Sequence, residues 1–499
     1  MAERAEQFSS RWGMMLAMLG MAVGTGNIWR FPRVAATNGG GSFLVAWVVF
    51  LLLWSVPLIL TEFAIGKAAR RGLIGSFARI AGPKFAWMGA FIAFTSTAIM
   101  FYYSVVLGWT IHYFWASLTG QLSGADSAGL WEAFAFTPRV MWYHLLAMGL
   151  GVFVVARGVR GIETAARVLM PTLFLMVIVL AIRALTLDGA VEGLAFLFTP
   201  SWADLKDYNT WLQALTQNAW DTGAGWGLVL TYAIYLRQRE DTALNSFLLG
   251  FGNNSVSLLA GIMVLCTVFS IMPGAASEIV GAGNEGLTFI WIPQLFQQMP
   301  AGRIFMPLFF LALMFAAWTS LISMIEMATR VLMDGGMSRG RAIAVIGGAG
   351  FVFGVPSALN QAVFQNQDFI WGVGLMVSGL FYAITVLRYG VTRFRETLIN
   401  TEDADIRIGR WWDWAMRLVV VEALVLVVWW FWMEGGIAQA LTGDFDGLFG
   451  TYGIGWAIVQ WGLAITVFMA LNRWMVARTE ATAPTAEPVS KGGMPASIP

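Results

Sequence analysis

The first residues that could do chemistry lie in WDTGAGWG (220–227), where Asp221 and three glycines interrupt an apolar run. A carboxylate at bilayer depth costs about 2.5 kcal/mol or more. Glycine in a helix interior costs about 1 kcal/mol relative to alanine. A second run, AMLGMAVGTGNIWRFP (17–32), is broken by glycines in the same way. Breaking a helix frees carbonyls, which suit a small hard cation, and N–H groups, which suit a carboxylate. Thr319 and Ser320 bring hydroxyls into a third apolar run. Hydroxyls alone would be read as back-bonded to the preceding turn; with a broken helix to face, a cation role is the better reading. Arg30 and Asp368 are charges near the ends of apolar segments, where pairing offsets the cost of desolvation.

These residues need a scaffold that tolerates open backbone at membrane depth. Of 499 residues, 58% are hydrophobic and 12% charged, about half the usual 25% for soluble domains. The composition implies an all-α membrane protein, and a net charge of +1 argues against nucleic acid as a partner. With a single cysteine, Cys266, no disulfide within the chain or Cys-based zinc site can form. His112 and His144 have no acidic partners at ligand spacing and are read as structural. GTGN lacks the third glycine and the preceding strand of a dinucleotide fingerprint. No cleavable leader is visible before the first apolar run.

A span needs about 20 mostly apolar residues. Twelve candidates follow: 12–37, 42–69, 86–117, 138–156, 163–184, 210–236, 243–272, 302–333, 341–356, 366–389, 412–434 and 451–476. The segment 284–299 reads as an amphipathic extracellular piece. With the N-terminus inside, the inner loops hold seventeen Lys and Arg against four outside (Arg139, Arg183, Lys206 and Arg303), which sets the orientation. Residues 1–11 and 477–499 are then cytoplasmic, the latter a Pro/Ala-rich disordered tail. The broken first and sixth spans lie five helices apart, the mark of an inverted-repeat transporter. The repeats are 12–184 and 210–390, joined by an extracellular loop 185–209 and followed by two further helices in 391–476.

The run RWGMMLAMLGMAVGTGNIWRFPRVAATNGGGSFL (11–44) closely resembles the first helix of the neurotransmitter:sodium symporter family. The likeness continues through Tyr102–Tyr103, TYAIYLRQRED (231–241), FAAWTSLISMIE (315–326) and NQDFIWG (366–372), covering roughly residues 8–390. It implies a LeuT-like 5+5 inverted repeat of twelve helices with discontinuous helices 1 and 6. It implies one sodium ion held by Ala22, Asn27, Asp221 and Asn253, and a second by Gly20, Val23, Ala316, Thr319 and Ser320. The substrate would meet Ala22, Thr25, Gly26, Ile99, Tyr103, Trp220, Asp221, Gly223, Trp226, Ser320, Ser323 and Met324. Arg30 with Asp368 would form the outer gate, and Asp334, Tyr235 and Arg4 the inner one. Phe8 stands where the family has a tryptophan, and the family's arginine aligns with Ala5, next to Arg4.

Gly24 occupies the place where monoamine transporters of the family carry an aspartate, so the expected substrate has its own carboxylate, held by Tyr103 and the Gly26 amide. Trp226 resembles the pocket tryptophan of glycine transporters and leads to a small neutral amino acid such as glycine or alanine. Asp221 is the main departure. It is read first as the negative charge at the first sodium site, making chloride unnecessary. Gln217, Asn253 and Ser257 match chloride-site positions, but Trp47 replaces the usual tyrosine. The alternatives for Asp221 are pairing with a cationic group of a larger hydrophobic, aromatic or amine-bearing amino acid, proton coupling, or a helix cap.

The leading class is a sodium-coupled symporter working by alternating access. A membrane enzyme would need a nucleophile, metal cluster or general-base constellation at the midplane, which the sequence does not offer. A non-transporting amino-acid sensor on the same scaffold is the reading from another class. The expected setting is a bacterial inner membrane, with the chain a monomer or weak homodimer.

Overall fold

The computed structural model describes residues 6–482 other than 238 and 403; the expectations for Arg4, Ala5 and the end of the tail lie outside the described residues. The fold is an all-α, multi-pass membrane fold built from long apolar helices and two interrupted ones. The first interrupted helix comprises α1 (Arg11–Ala22), a π turn at Gly26–Arg30, and α2 (Phe31–Thr37). It is followed by α3 (Gly41–Ala69, with a π turn at Leu51–Ser55), α4 (Pro83–Leu118), α5 (Val140–Val155) and α6 (Gly158–Leu185). The second interrupted helix is α7 (Tyr208–Asp221) with α8 (Leu228–Ala233). Then come α9 (Thr242–Ile271), α10 (Gly302–Asp334), α11 (Arg339–Leu359), α12 (Gln361–Tyr389), α13 (Trp411–Met433) and α14 (Ile454–Ala481). Among the described residues, nine continuous helices are long and apolar enough to cross a membrane, and Val140–Val155 is a shorter apolar helix.

Local sequence explains the boundaries. Ser10 caps α1 by accepting from the Gly13 amide at 3.0 Å. Asp207 caps α7, Asp241 caps α9 and Asn360 caps α12 in the same manner. Pro32 sits in the first turn of α2, where its missing N–H costs nothing. The segment 284–299 is not a span: a π turn at Gly286–Trp291 leads into the short helix Ile292–Gln298.

The core lies where α1, α4, α6 and α10 meet, with α4 and α10 in the most extensive contact. Glycines allow several of these close approaches. A Cβ on Gly66 would fall 2.4 Å from the Leu230 carbonyl oxygen, so α3 and α8 meet backbone to backbone. The two histidines are packed within this framework. His112 stacks on Phe134 with centroids 3.7 Å apart, and His144 Nε2 lies 3.0 Å from the Phe351 carbonyl oxygen.

Candidate functional site: a cavity between two broken helices

The second break is built by alternating glycines. After Asp221, Gly223, Gly225 and Gly227 take φ values of +71°, +87° and +79°. A residue with a Cβ pays roughly 1–2 kcal/mol for that left-handed backbone. The freed amides of this break meet a protein carboxylate. Glu62 of α3, fully buried, accepts from Gly225 N at 2.7 Å and Leu230 N at 3.0 Å. Sequence reasoning assigned no role to Glu62. The signal that could have found it is a lone acid in the apolar run of α3, opposite a break that must satisfy its own N–H groups.

At the first break Val23 is extended, with ψ 105°, and Gly24 donates its amide to Asn27 Oδ1 at 2.8 Å. The Asn27 amide group donates in turn to Asn253 Oδ1 (3.0 Å) and Ser257 Oγ (2.7 Å). Ser257 Oγ and Gln217 Nε2 both donate to Asp221 Oδ2, each at 3.1 Å. Asp221 Oδ1 is buried without a hydrogen-bond partner. Three of the four residues expected around the first sodium, Asn27, Asp221 and Asn253, are therefore joined in one network, the fourth, Ala22, lines the adjoining cavity, and one carboxylate oxygen is unsatisfied. That is a fitting donor set for a small cation, which takes oxygen ligands and compensates buried charge. Trp47 does not join this cluster through its indole N–H, which is buried and unpartnered; its ring packs on Phe31 with centroids 4.6 Å apart.

The second expected ion site is assembled by α1 and α10. Ser320 Oγ lies 3.4 Å from the carbonyl oxygens of both Met21 and Val23. A Cβ on Gly20 would lie 3.2 Å from Thr319 Cβ, which places Gly20 beside Thr319. Thr319 Oγ1 back-bonds to Phe315 O (3.0 Å) and Ala316 O (3.1 Å). The oxygen lone pairs left over on Thr319 and Ser320 are those a cation would use.

Between the breaks lies a cavity lined by ten of the twelve residues expected to contact substrate. Ile99 and Ser323 are the exceptions: neither is in its lining, and the Ser323 hydroxyl instead donates to Ser320 O at 2.7 Å. Val106, Leu228 and Phe364 supply apolar wall that sequence reasoning did not name. The Tyr103 hydroxyl accepts from the Thr25 amide at 3.1 Å. Trp226 has a double role. It lines the cavity, and its indole N–H donates to the Ala219 carbonyl at 3.1 Å, tying the far side of the break to α7. Its ring position is thus set by the break as much as by cavity width.

At one end of the cavity, Arg30 donates to Gln217 Oε1 and lies over the Trp220 ring at 5.7 Å. Asp368 lines the same cavity, and no ion pair joins Arg30 to Asp368 among the described residues. Gln217, one helical turn before Asp221, has taken the guanidinium. Trp220 is seated on Gly372 of α12, where a Cβ would fall 1.8 Å from the indole.

At the opposite end, Asp334 pairs with Arg330 at 2.8 Å and accepts from the Gly72 amide at 2.5 Å. The Tyr235 hydroxyl donates to Glu326 at 2.6 Å; Glu326 pairs with Arg339 at 2.5 Å, and Arg339 also meets Glu6 at 3.3 Å. Phe8 lies edge-on to Tyr232 and Tyr235, with centroids 6.0 and 6.3 Å away. Glu163 of α6 accepts from Ser9 N at 2.8 Å and Ser9 Oγ at 2.7 Å, which holds the segment before α1. Because Glu326 is fully buried, Arg339→Ala is expected to cost about 3–5 kcal/mol by stranding its charge. Adding Glu326→Gln should recover most of that loss in thermal melts; a double variant as unstable as the sum of the singles would refute the pairing.

A bundle opened at two helices around one central cavity, with oxygen clusters for cations beside it, defines an ion-coupled membrane transporter. The profile of the sodium:neurotransmitter symporter family matches residues 5–140 and 129–481, and the chain belongs to that family. It is 32% identical over 450 residues to the uncharacterized sodium-dependent transporter YhdH of Bacillus subtilis, covering 85% of this chain and 97% of the relative. It is 29% identical over 495 residues to an uncharacterized sodium-dependent transporter of Methanocaldococcus jannaschii, covering 94% and 97%. Among solved structures it is similar to MhsT in complex with L-phenylalanine, with a TM-score of 0.75, 31% identity, and coverage of 85% and 99%. The protein is a transporter, not an enzyme, and sodium is its coupling ion.

Proposed function

We propose that the protein carries a neutral amino acid with a large apolar side chain together with sodium, by alternating access, across the membrane. The observation that carries this reading is the cavity between the two breaks, whose wall is Val106, Leu228, Met324 and Phe364 and whose polar end is Tyr103 and the open backbone of the first break. Support also comes from the bound L-phenylalanine of the similar MhsT structure and from a rat neutral amino acid transporter, B(0)AT3, 31% identical over 298 residues. These favour the larger substrate over the glycine or alanine suggested by Trp226 alone. The Trp226 indole is anchored to Ala219, so a tryptophan at that position need not mark a small pocket.

In this reading, twelve spans form a five-plus-five repeat: the nine continuous helices, Val140–Val155 and the two interrupted ones. Both termini face the cytoplasm, as the Lys and Arg bias of the loops supports. Asp221 Oδ1 joins Ala22, Asn27 and Asn253 around the first sodium, and its charge takes the place of chloride. Gly20, Val23, Ala316, Thr319 and Ser320 hold the second. Arg30, Trp220 and Asp368 close the outer side; Tyr235, Glu326, Arg339 and Asp334 close the inner. A second reading, an amine of the substrate on Asp221, is favoured by the same unpartnered oxygen, on a residue that lines the cavity.

The substrate test is a thermal-shift comparison of L-phenylalanine, L-leucine and glycine, with sodium and with potassium. At a hundredfold excess over Kd, a ligand stabilises by about 2.7 kcal/mol. L-phenylalanine or L-leucine should raise Tm in sodium only. A shift with glycine and none with the larger two would overturn the substrate class.

A further inference from the structure

One buried acid takes no part in the ion and substrate sites. Glu422 stands at the midpoint of α13, on the helix face formed by Trp412, Met416, Val419, Ala423 and Leu426, all buried. The residue is 6% exposed, and both of its carboxylate oxygens are buried without a hydrogen-bond partner. The elements packed most closely on α13 are α12, α3 with its π turn, and the short helices Val391–Phe394 and Ile437–Leu441. Their titratable groups are Asp368, Tyr382, Arg388 and Tyr389 on α12, Glu62 and Lys67 on α3, and Arg393. On its own helix there are Asp413, paired with Arg395, and Arg417. Among the described residues, none of these groups forms a hydrogen bond or an ion pair with Glu422. An ionised carboxylate with neither a cation nor a donor is not stable in such a place; binding a proton is the available way to remove the charge.

Contacts between α13 and α3 join the helix that carries this acid to the π turn. The Trp412 indole donates to Pro57 O at 3.2 Å, and Thr61 Oγ1 lies 3.5 Å from Met416 Sδ. α13, the helix that carries Glu422, also packs on the π turn Leu51–Ser55 of α3. Single π turns inside α-helices are frequent at functional sites. The last residue of this one reaches the second break directly: Thr222 Oγ1 donates to Ser55 Oγ at 3.0 Å, and Ser55 Oγ donates to Asn218 Oδ1 at 3.1 Å. Thr222 adjoins Asp221.

We propose that Glu422 is a proton-binding site at mid-membrane, coupled to the break beside Asp221 through the π turn of α3. In the packed arrangement the carboxylate holds the proton. Release to water requires α13 to part from the π turn, and that movement reaches Thr222 through Ser55. This goes beyond the substrate reading and does not depend on it.

Infrared spectra of the full chain in sodium-containing lipid vesicles test the site without any substrate. At neutral pH the wild-type minus Glu422→Gln difference should show the C=O stretch of one protonated carboxyl, fading as pH rises; a difference spectrum without it overturns the site. Sodium alone then probes the coupling. The sodium-induced Tm shift should vary with pH in the wild type and vary less in Glu422→Gln, the remainder belonging to Asp221 at the ion site; the same pH dependence in both overturns the coupling. Glu422→Gln and Glu422→Leu should each melt within about 3 °C of wild type, because a neutral group replaces a neutral group. Collapse of both would show that an ionised, paired carboxylate stood there and would overturn the proposal.

Discussion

Asp221→Asn should lower sodium-driven uptake about a thousandfold. Asp221→Ser should recover part of it only when chloride is present. The argument is electrostatic. Asp221 Oδ2 is already satisfied by Gln217 and Ser257 at 3.1 Å each, while Oδ1 is buried with no partner. In the proposed function a sodium ion beside Oδ1 completes it. Two unit charges about 4 Å apart interact by roughly 4 kcal/mol at an effective dielectric near 20, which decides whether the ion site fills. Asparagine keeps the shape and removes the charge. Serine clears room beside Gln217 and Ser257, whose donors could then hold an anion from solution. The measurement is uptake into proteoliposomes with chloride replaced by gluconate. Wild-type uptake should be unchanged by the replacement. A wild type that stops in gluconate would refute the fixed-charge role, and Asp221→Asn transporting at wild-type rate would refute any role for the charge. If Asp221→Asn still binds sodium but loses substrate, the second reading, an amine on Asp221, takes its place.

The second large effect is expected at Glu62. Glu62→Ala should destabilise the protein by about 2–6 kcal/mol, since it leaves two buried amides, Gly225 N and Leu230 N, unpaired at about 1–3 kcal/mol each. Glu62→Gln keeps an acceptor oxygen and should fall between the two. The consequence is more than stability. These bonds hold the start of α8 against α3 while the chain between Asp221 and Leu228 stays open. Without them the glycines at 223, 225 and 227 lose the partner that makes their left-handed path preferable to a continuous helix. Thermal melts in detergent, with Asp221→Asn as the reference variant, check this. A Glu62→Ala melt within a degree of wild type would show that the carboxylate does not hold the break.

Much of the site was readable because its signals are local. Glycines and an aspartate in an apolar run mark an open helix wherever they occur, since backbone without partners cannot face lipid. The same holds for the motif in 11–44 and the hydroxyl pair Thr319–Ser320. What was not readable is which partner each group takes. Arg30 and Asp368 look like complementary charges in the sequence, yet Gln217 occupies the guanidinium. Asp334 was paired in expectation with Arg4; among the described residues it is held by Arg330 and the Gly72 amide. Ile99 was expected in the cavity wall, and Val106, two turns further along α4, is there instead.

The sequence by itself determined that the chain is a membrane bundle, where it opens, and that a carboxylate stands at the second opening, because hydropathy, glycine backbone freedom and the cost of buried charge act residue by residue. Only the tertiary structure decided that Glu62 satisfies the freed amides, that Trp226 ties the break to α7 as well as lining the cavity, and that Asp221 keeps one oxygen free. Those outcomes depend on which donors the packing brings within about 3 Å of each acceptor. Hydrogen bonds between residues as distant in sequence as Glu62 and Gly225 are written in no local pattern.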